Sequence, residues 1–137
     1  MEFIRENIHT THGLHDMVAS AIRVTGNDII LVMDTGFIRC GDDYEQVEGN
    51  VIFYHIDWDF CYVYILENFT ENSGKFSGEK LSLRNFINQY DTFHFEIIDA
   101  TYGYNQTKLS GWLSVDDKLS ECVIEIYHNG DMVFVEK

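Results

Sequence analysis

Phe60-Cys61-Tyr62-Val63-Tyr64-Ile65-Leu66 is the stretch that decides how this chain folds. Every residue in it is apolar or aromatic, and β-branched and aromatic side chains fit the pleated surface of a strand. With a period of two, Phe60, Tyr62, Tyr64 and Leu66 share one face, and Cys61, Val63 and Ile65 the other. Both faces are apolar enough to need cover. That predicts an antiparallel sheet closed or folded on itself, as a barrel or a two-layer sandwich, rather than a flat sheet with one wet side. Val51 to Trp58 is a second run of the same kind, and Asp57-Trp58-Asp59 stands at the junction of the two.

Working outward, Ile29-Ile30-Leu31-Val32-Met33 reads as a short buried strand, entered through the turn signal Gly26-Asn27-Asp28, which joins it to Val18 to Thr25 as a hairpin. Leu14, Met17, Val18, Ala21 and Ile22 also fit a helical stripe, so strand and helix compete there and strand is favoured. Polar residues with Gly74 and Gly78 make Asn68 to Lys80 a loop. The period then changes. Leu83, Phe86, Ile87 and Tyr90 fall at i, i+3, i+4 and i+7, which predicts one helix near 83–90 with Ser82 as its N-cap and Leu81 as a hydrophobic staple. Phe93 to Thr101 and Lys108 to Val115 flank a turn at Tyr102-Gly103-Tyr104-Asn105, and Asp116-Asp117 marks the next turn. Cys122, Ile124, Ile126 and His128 alternate with Glu121, Val123, Glu125 and Tyr127, and Asn129-Gly130 predicts a terminal hairpin with Met132 to Glu136. The expectation is a mainly β (α+β) chain of about seven or eight strands and one helix, forming a single domain over residues 1–137. Proline is absent, as suits a backbone whose N–H groups are committed to ladders.

Against 23 acidic residues stand 9 basic ones, for a formal net charge of -14. Binding to a phosphate backbone is thereby disfavoured, because that affinity comes from Lys and Arg displacing counterions. No run reaches the roughly 18 apolar residues of a membrane helix, and Met1 to Glu6 has no basic region followed by an apolar one. A soluble, cytoplasmic protein without membrane or nucleic-acid partners is expected. Cys40, Cys61 and Cys122, an odd number and widely spaced, read as reduced thiols rather than a disulfide frame.

His9, His12 and His15 form H-x-x-H-x-x-H-D with Asp16, and imidazoles are ligands for Zn, Ni or Cu. The spacing is against a metal site: a strand splits the three between two faces, and Gly13 weakens a helix by about 1 kcal/mol. Asp57-Trp58-Asp59 is like the acidic pairs that hold Mg or Mn beside a nucleotide sugar, but no strand, glycine loop and helix precede it, so it reads as a turn. Gly74 to Lys80 lacks the spacing of a phosphate loop. Neither a serine elbow nor a cysteine with a basic neighbour supplies a nucleophile. No cofactor and no catalysis are expected.

The distribution of charge is more informative than its sum. Residues 40–74 hold eight acids and no base. Asp42, Asp43, Glu45, Glu48, Asp57 and Asp59 lie there among Tyr44 and Trp58, a mixture suited to recognising a basic protein: carboxylates steer the encounter and rings supply anchor area. A solvated acidic face that only keeps the protein soluble is the plainer alternative.

Leu14-His15-Asp16, the hairpin ending in Asp34-Thr35-Gly36-Phe37, and Leu109-Ser110-Gly111-Trp112-Leu113 before the Asn-Gly turn together resemble small, acidic, mostly β bacterial proteins, some of which are similar to immunity proteins of polymorphic toxin systems. The resemblance implies a non-enzymatic, partner-binding role and carries no residue-level site. Two expectations stand: a binding module for a basic protein such as a nuclease toxin, or, as the alternative, a small-molecule or metal-binding β-barrel, with enzymatic activity left open, that has Phe53, Tyr62, Tyr64 and Trp112 inside and His15 or His55 at its mouth.

Overall fold

The computed structural model describes residues 1–4, 11–67 and 77–137. Its first half comprises β1 (Glu2–Ile4), β2 (His12–Gly13), β3 (Val18–Thr25), β4 (Asp28–Met33), β5 (Phe37–Arg39), β6 (Glu45–Val47) and β7 (Gly49–Phe53). After a 3-10 turn at Trp58–Phe60 come β8 (Tyr62–Glu67), β9 (Ser77–Ser82), α1 (Leu83–Gln89), β10 (His94–Gly103), β11 (Gln106–Val115), β12 (Lys118–Tyr127) and β13 (Met132–Glu136). Ten strands form one antiparallel sheet in the order β1-β13-β7-β4-β3-β10-β11-β12-β8-β9, and β2, β5 and β6 form a second, small sheet.

The large sheet is not closed, which corrects the barrel expectation: β1 and β9 remain as edges. It bends instead. At its middle, β3 and β10 pair at only two positions, Phe95 with Ala19 and Glu96 with Val18. The two halves face each other across one core that draws Leu31 and Phe53 from one half and Val63, Leu109 and Ile124 from the other. Two chain crossings connect the halves. Residues 54–61 carry the chain from β7 to β8, and residues 128–131 carry it back from β12 to β13. The crossings are hydrogen-bonded to each other, through Asn129 N–H to His55 C=O (2.8 Å), Gly130 N–H to Tyr54 C=O (3.0 Å) and the bridge between Ile56 and His128.

Asn129-Gly130 therefore does not close a hairpin: β12 pairs with β11 and β8, and β13 pairs with β7 and β1. The turn chemistry is right for a tight reversal, but the hydrophobic partners of Val133 and Phe134 lie in the other half of the sheet, and tertiary pairing wins over the local signal. The other hairpin signals hold. Gly26 at φ 63° opens the β3–β4 loop, and Asp116 and Asp117 at φ 52° and 61° form the β11–β12 loop, the two left-handed positions of a type I′ turn. The strand count exceeds the expected seven or eight because β1, β2, β5 and β6 have two or three residues each, too few to show a period. Ser77–Ser82, of which Ser77 to Lys80 fall in the expected loop, is an edge strand whose polar composition suits an exposed position.

Helix α1 forms as the spacing predicts. The Ser82 hydroxyl accepts from Asn85 N–H at 3.1 Å, and Leu83 and Phe86 are fully buried. Phe86 packs its ring on Tyr90 and Phe93, so the helix covers the core between β3, β8 and β12. Along β8 the alternation is as read, with an inversion of size: Cys61, Val63 and Ile65 point in, while Tyr62 and Tyr64 lie on the half-buried outer face. Of the four rings expected inside a barrel only Phe53 is in the core, and Trp112 is 41% exposed. No helix among the described residues is long and apolar enough to cross a membrane.

Candidate functional site

The eight acidic and aromatic residues singled out from the sequence fall in two places. Asp42, Asp43 and Tyr44 make the turn between β5 and β6, Glu45 starts β6, and Glu48 precedes β7. Every residue from Arg39 to Gln46 is exposed, and Tyr44 is 77% exposed. Asp57, Trp58 and Asp59 lie beyond the other end of β7, in the crossing. Five residues of strand separate the two groups by roughly 15 Å. That exceeds the Debye length of about 8 Å at physiological salt, so the groups act as separate charges rather than one patch.

Their neighbourhoods differ as well. Trp58 donates its indole N–H to Asn27 Oδ1 (3.1 Å), and the Arg84 guanidinium lies 4.1 Å above its ring. Asp57 is part of the backbone of the crossing: its N–H donates to Tyr127 C=O at 2.9 Å and its C=O accepts from the Cys61 thiol at 3.2 Å. Cys61 Sγ in turn accepts from Tyr127 N–H at 3.1 Å. Burial raises the Cys61 thiol to about 11 and the Cys122 thiol to about 12, so both are protonated at neutral pH and unsuited to nucleophilic attack. The residues flanking Tyr44 are tied by the Arg39–Glu45 ion pair at 3.0 Å and by the Gln46 side-chain amide, which donates to Thr35 C=O at 2.7 Å. The segment of acids without a base thus acquires three cations in space among the described residues, Arg39 on β5, Lys80 on β9 and Arg84 on α1, none of them within the run.

The histidine motif is divided. His9 lies outside the described residues, and His15, beside Asp16 at 3.1 Å, is exposed. His12 on β2 is fully buried in a box of Phe3, Phe37 and Phe134 rings, 4.8 to 5.0 Å away between centroids. Both of its ring nitrogens are engaged: Nδ1 with the Thr11 hydroxyl at 2.8 Å, Nε2 with the Glu136 carboxylate at 2.7 Å. Glu136 also accepts from Arg39 through both of its oxygens. These bonds, from Arg39 first and His12 second, hold the Glu136 carboxyl down at about 2. The chain Thr11–His12–Glu136–Arg39–Glu45 fastens all three strands of the small sheet to β13. Among the described residues no three His, Cys, Asp or Glu side chains converge as a metal-binding set.

Sequence reasoning missed this chain, since 124 residues separate His12 from Glu136. It also missed the second buried histidine. His128, 2% exposed, meets the Thr107 hydroxyl at 3.0 Å and the Gly130 carbonyl at 2.9 Å, with Phe53 edge-on at 5.2 Å. The alternation of Cys122, Ile124, Ile126 and His128 was the available signal for its burial. Compared with family models, with curated proteins and with solved structures, the chain matches none.

Proposed function

We propose that this chain is a non-enzymatic, acidic binding module of the cytoplasm that captures a basic protein, in the manner of an immunity or inhibitor protein for a nuclease toxin. The observation that carries the reading is the β5–β6 turn, where Asp42, Asp43 and a 77%-exposed Tyr44 project together with no cation on the two aspartates among the described residues. Exposed carboxylates at one tip, on a chain of net charge -14, accelerate encounter with a basic surface, and a nearby ring provides the apolar anchor that charge alone lacks. Glu45 and Glu48 extend the same end of the molecule, and the hydrogen-bonded chain through Glu136 holds the strands that present the turn. Asp57, Trp58 and Asp59 belong to a separate place and add to the general field only.

The test is association kinetics against the basic protein that the native chain retains from its own cells. Reversing Asp42, Asp43, Glu45 and Glu48 to lysine lowers the on-rate at least tenfold at low salt and flattens its salt dependence. An unchanged on-rate, or a retained set of proteins with nothing basic in it, overturns the reading.

A further inference from the structure

The fold gives its outward aromatic rings on and beside β8 cations of their own. Arg84 lies over Trp58, and Lys80 lies over Tyr62 at 4.1 Å and Tyr64 at 5.6 Å. Trp112, on the outer face of β11, is different. It stands directly opposite Glu96 of β10 on one side and Glu121 of β12 on the other. Directly opposed residues have Cβ atoms about 5 Å apart, so Trp112 stands between two glutamates in one row across the sheet. Both glutamates are half-buried, and among the described residues neither has a cation partner, whereas Glu125, four residues along β12, is paired with Lys108 at 3.4 Å. The next row adds His94, Ser114 and Leu119, and these three with Glu96 and Trp112 line a cavity of about 270 Å³. Leu119 is 64% exposed.

The row is created by an irregularity. Tyr104-Asn105 sets the β10–β11 register from Gly103–Gln106 to Asp99–Ser110, and a bulge between Ile97 and Asp99 shifts it by one. Without that shift Glu96 would oppose Leu113, on the core face. Gly111 makes the shift possible, because a Cβ there would run into the Glu96 carbonyl and the Ile98 amide. A bulge that re-aims one side chain onto a recognition surface is a known use of this device.

We propose that the Glu96–Trp112–Glu121 row is a receiving site for an arginine side chain of the basic partner. A guanidinium stacks on an indole face and forks its N–H groups onto a carboxylate, and the site supplies both features with no Lys or Arg partner among the described residues. A lysine ammonium has the charge but not the plane or the fork. The inference rests on the basic-partner reading above and adds to it a second, separately testable point of contact.

The test uses the Trp58→Phe variant, in which Trp112 is the sole tryptophan, and a ten-residue peptide of alternating arginine and glycine. Peptide binding is followed by anisotropy of a labelled copy, and occupancy of the site by Trp112 emission with an unlabelled one. The expected result is a saturable change in Trp112 emission that tracks anisotropy. Adding Glu96→Gln should weaken binding about tenfold while leaving the melting curve unchanged, and the lysine counterpart should bind several-fold more weakly. If the peptide binds by anisotropy but Trp112 emission does not respond and Glu96→Gln has no effect, the site is overturned while the acidic turn remains a receptor for basic chains. If neither peptide binds at low salt, both readings fail.

Discussion

The turn at Asp42–Glu48 and the crossing at Asp57–Asp59 have the same composition, carboxylates beside an aromatic ring, and opposite surroundings. In the turn, Asp42, Asp43 and Tyr44 are exposed, and the Arg39–Glu45 ion pair lies at its base. In the crossing, Trp58 is held by Asn27 and Arg84, and the backbone of Asp57 is bonded into the link between the two halves of the sheet. The difference teaches that an acidic, aromatic segment is a recognition surface only where the fold leaves its groups without other work.

The comparison breaks most visibly at the crossing. Ile56 is 4% exposed and bridges His128, so Ile56→Ala should cost about 3 kcal/mol in denaturant unfolding. Tyr44→Ala should stay within about 0.5 kcal/mol. A comparable loss at both positions would show that the turn is structural too.

A smaller effect is expected at the clamp that holds the turn's strands. Glu136→Gln should lower stability by about 1 to 2 kcal/mol at pH 7, less than a fully buried pair because Arg39 is 44% exposed and water screens it. The Glu136 carboxyl is depressed from 4.5 to about 2, so its contribution is complete above pH 4.5 and fades as pH falls through 2. The stability gap between native chain and variant should therefore close across that window. A gap that widens on acidification contradicts the assignment.

Smallest is the ring contact of the crossing. Arg84→Ala should remove about 0.5 kcal/mol, the size of an exposed cation–π contact, measured by thermal unfolding. A loss of several kcal/mol would place Arg84 in a role beyond covering Trp58.

Where sequence and fold agree, the determinants are local. Helix α1 follows from four apolar positions and Ser82, and the β3–β4 and β11–β12 hairpins follow from Gly26 and from Asp116-Asp117. Where they part, the determinants are distant. Asn129-Gly130 is chemically a hairpin turn, yet Val133 and Phe134 pair with β7. The small sheet has strands of two or three residues, secured by a carboxylate at the far end of the chain. For the candidate site the pairing of Trp112 with Glu121 follows from the Asp116-Asp117 turn by counting back along both strands. The pairing with Glu96 depends on a bulge whose trace in the sequence is a single glycine, Gly111, too little to place it.

The most direct measurement of the central claim is equilibrium affinity for the basic partner with each acidic segment altered separately. The account predicts that reversing Asp42, Asp43, Glu45 and Glu48 to lysine weakens binding at least tenfold, while Asp57→Asn with Asp59→Asn changes it less than threefold. Equal losses from both variants, or a loss from the crossing alone, would contradict it.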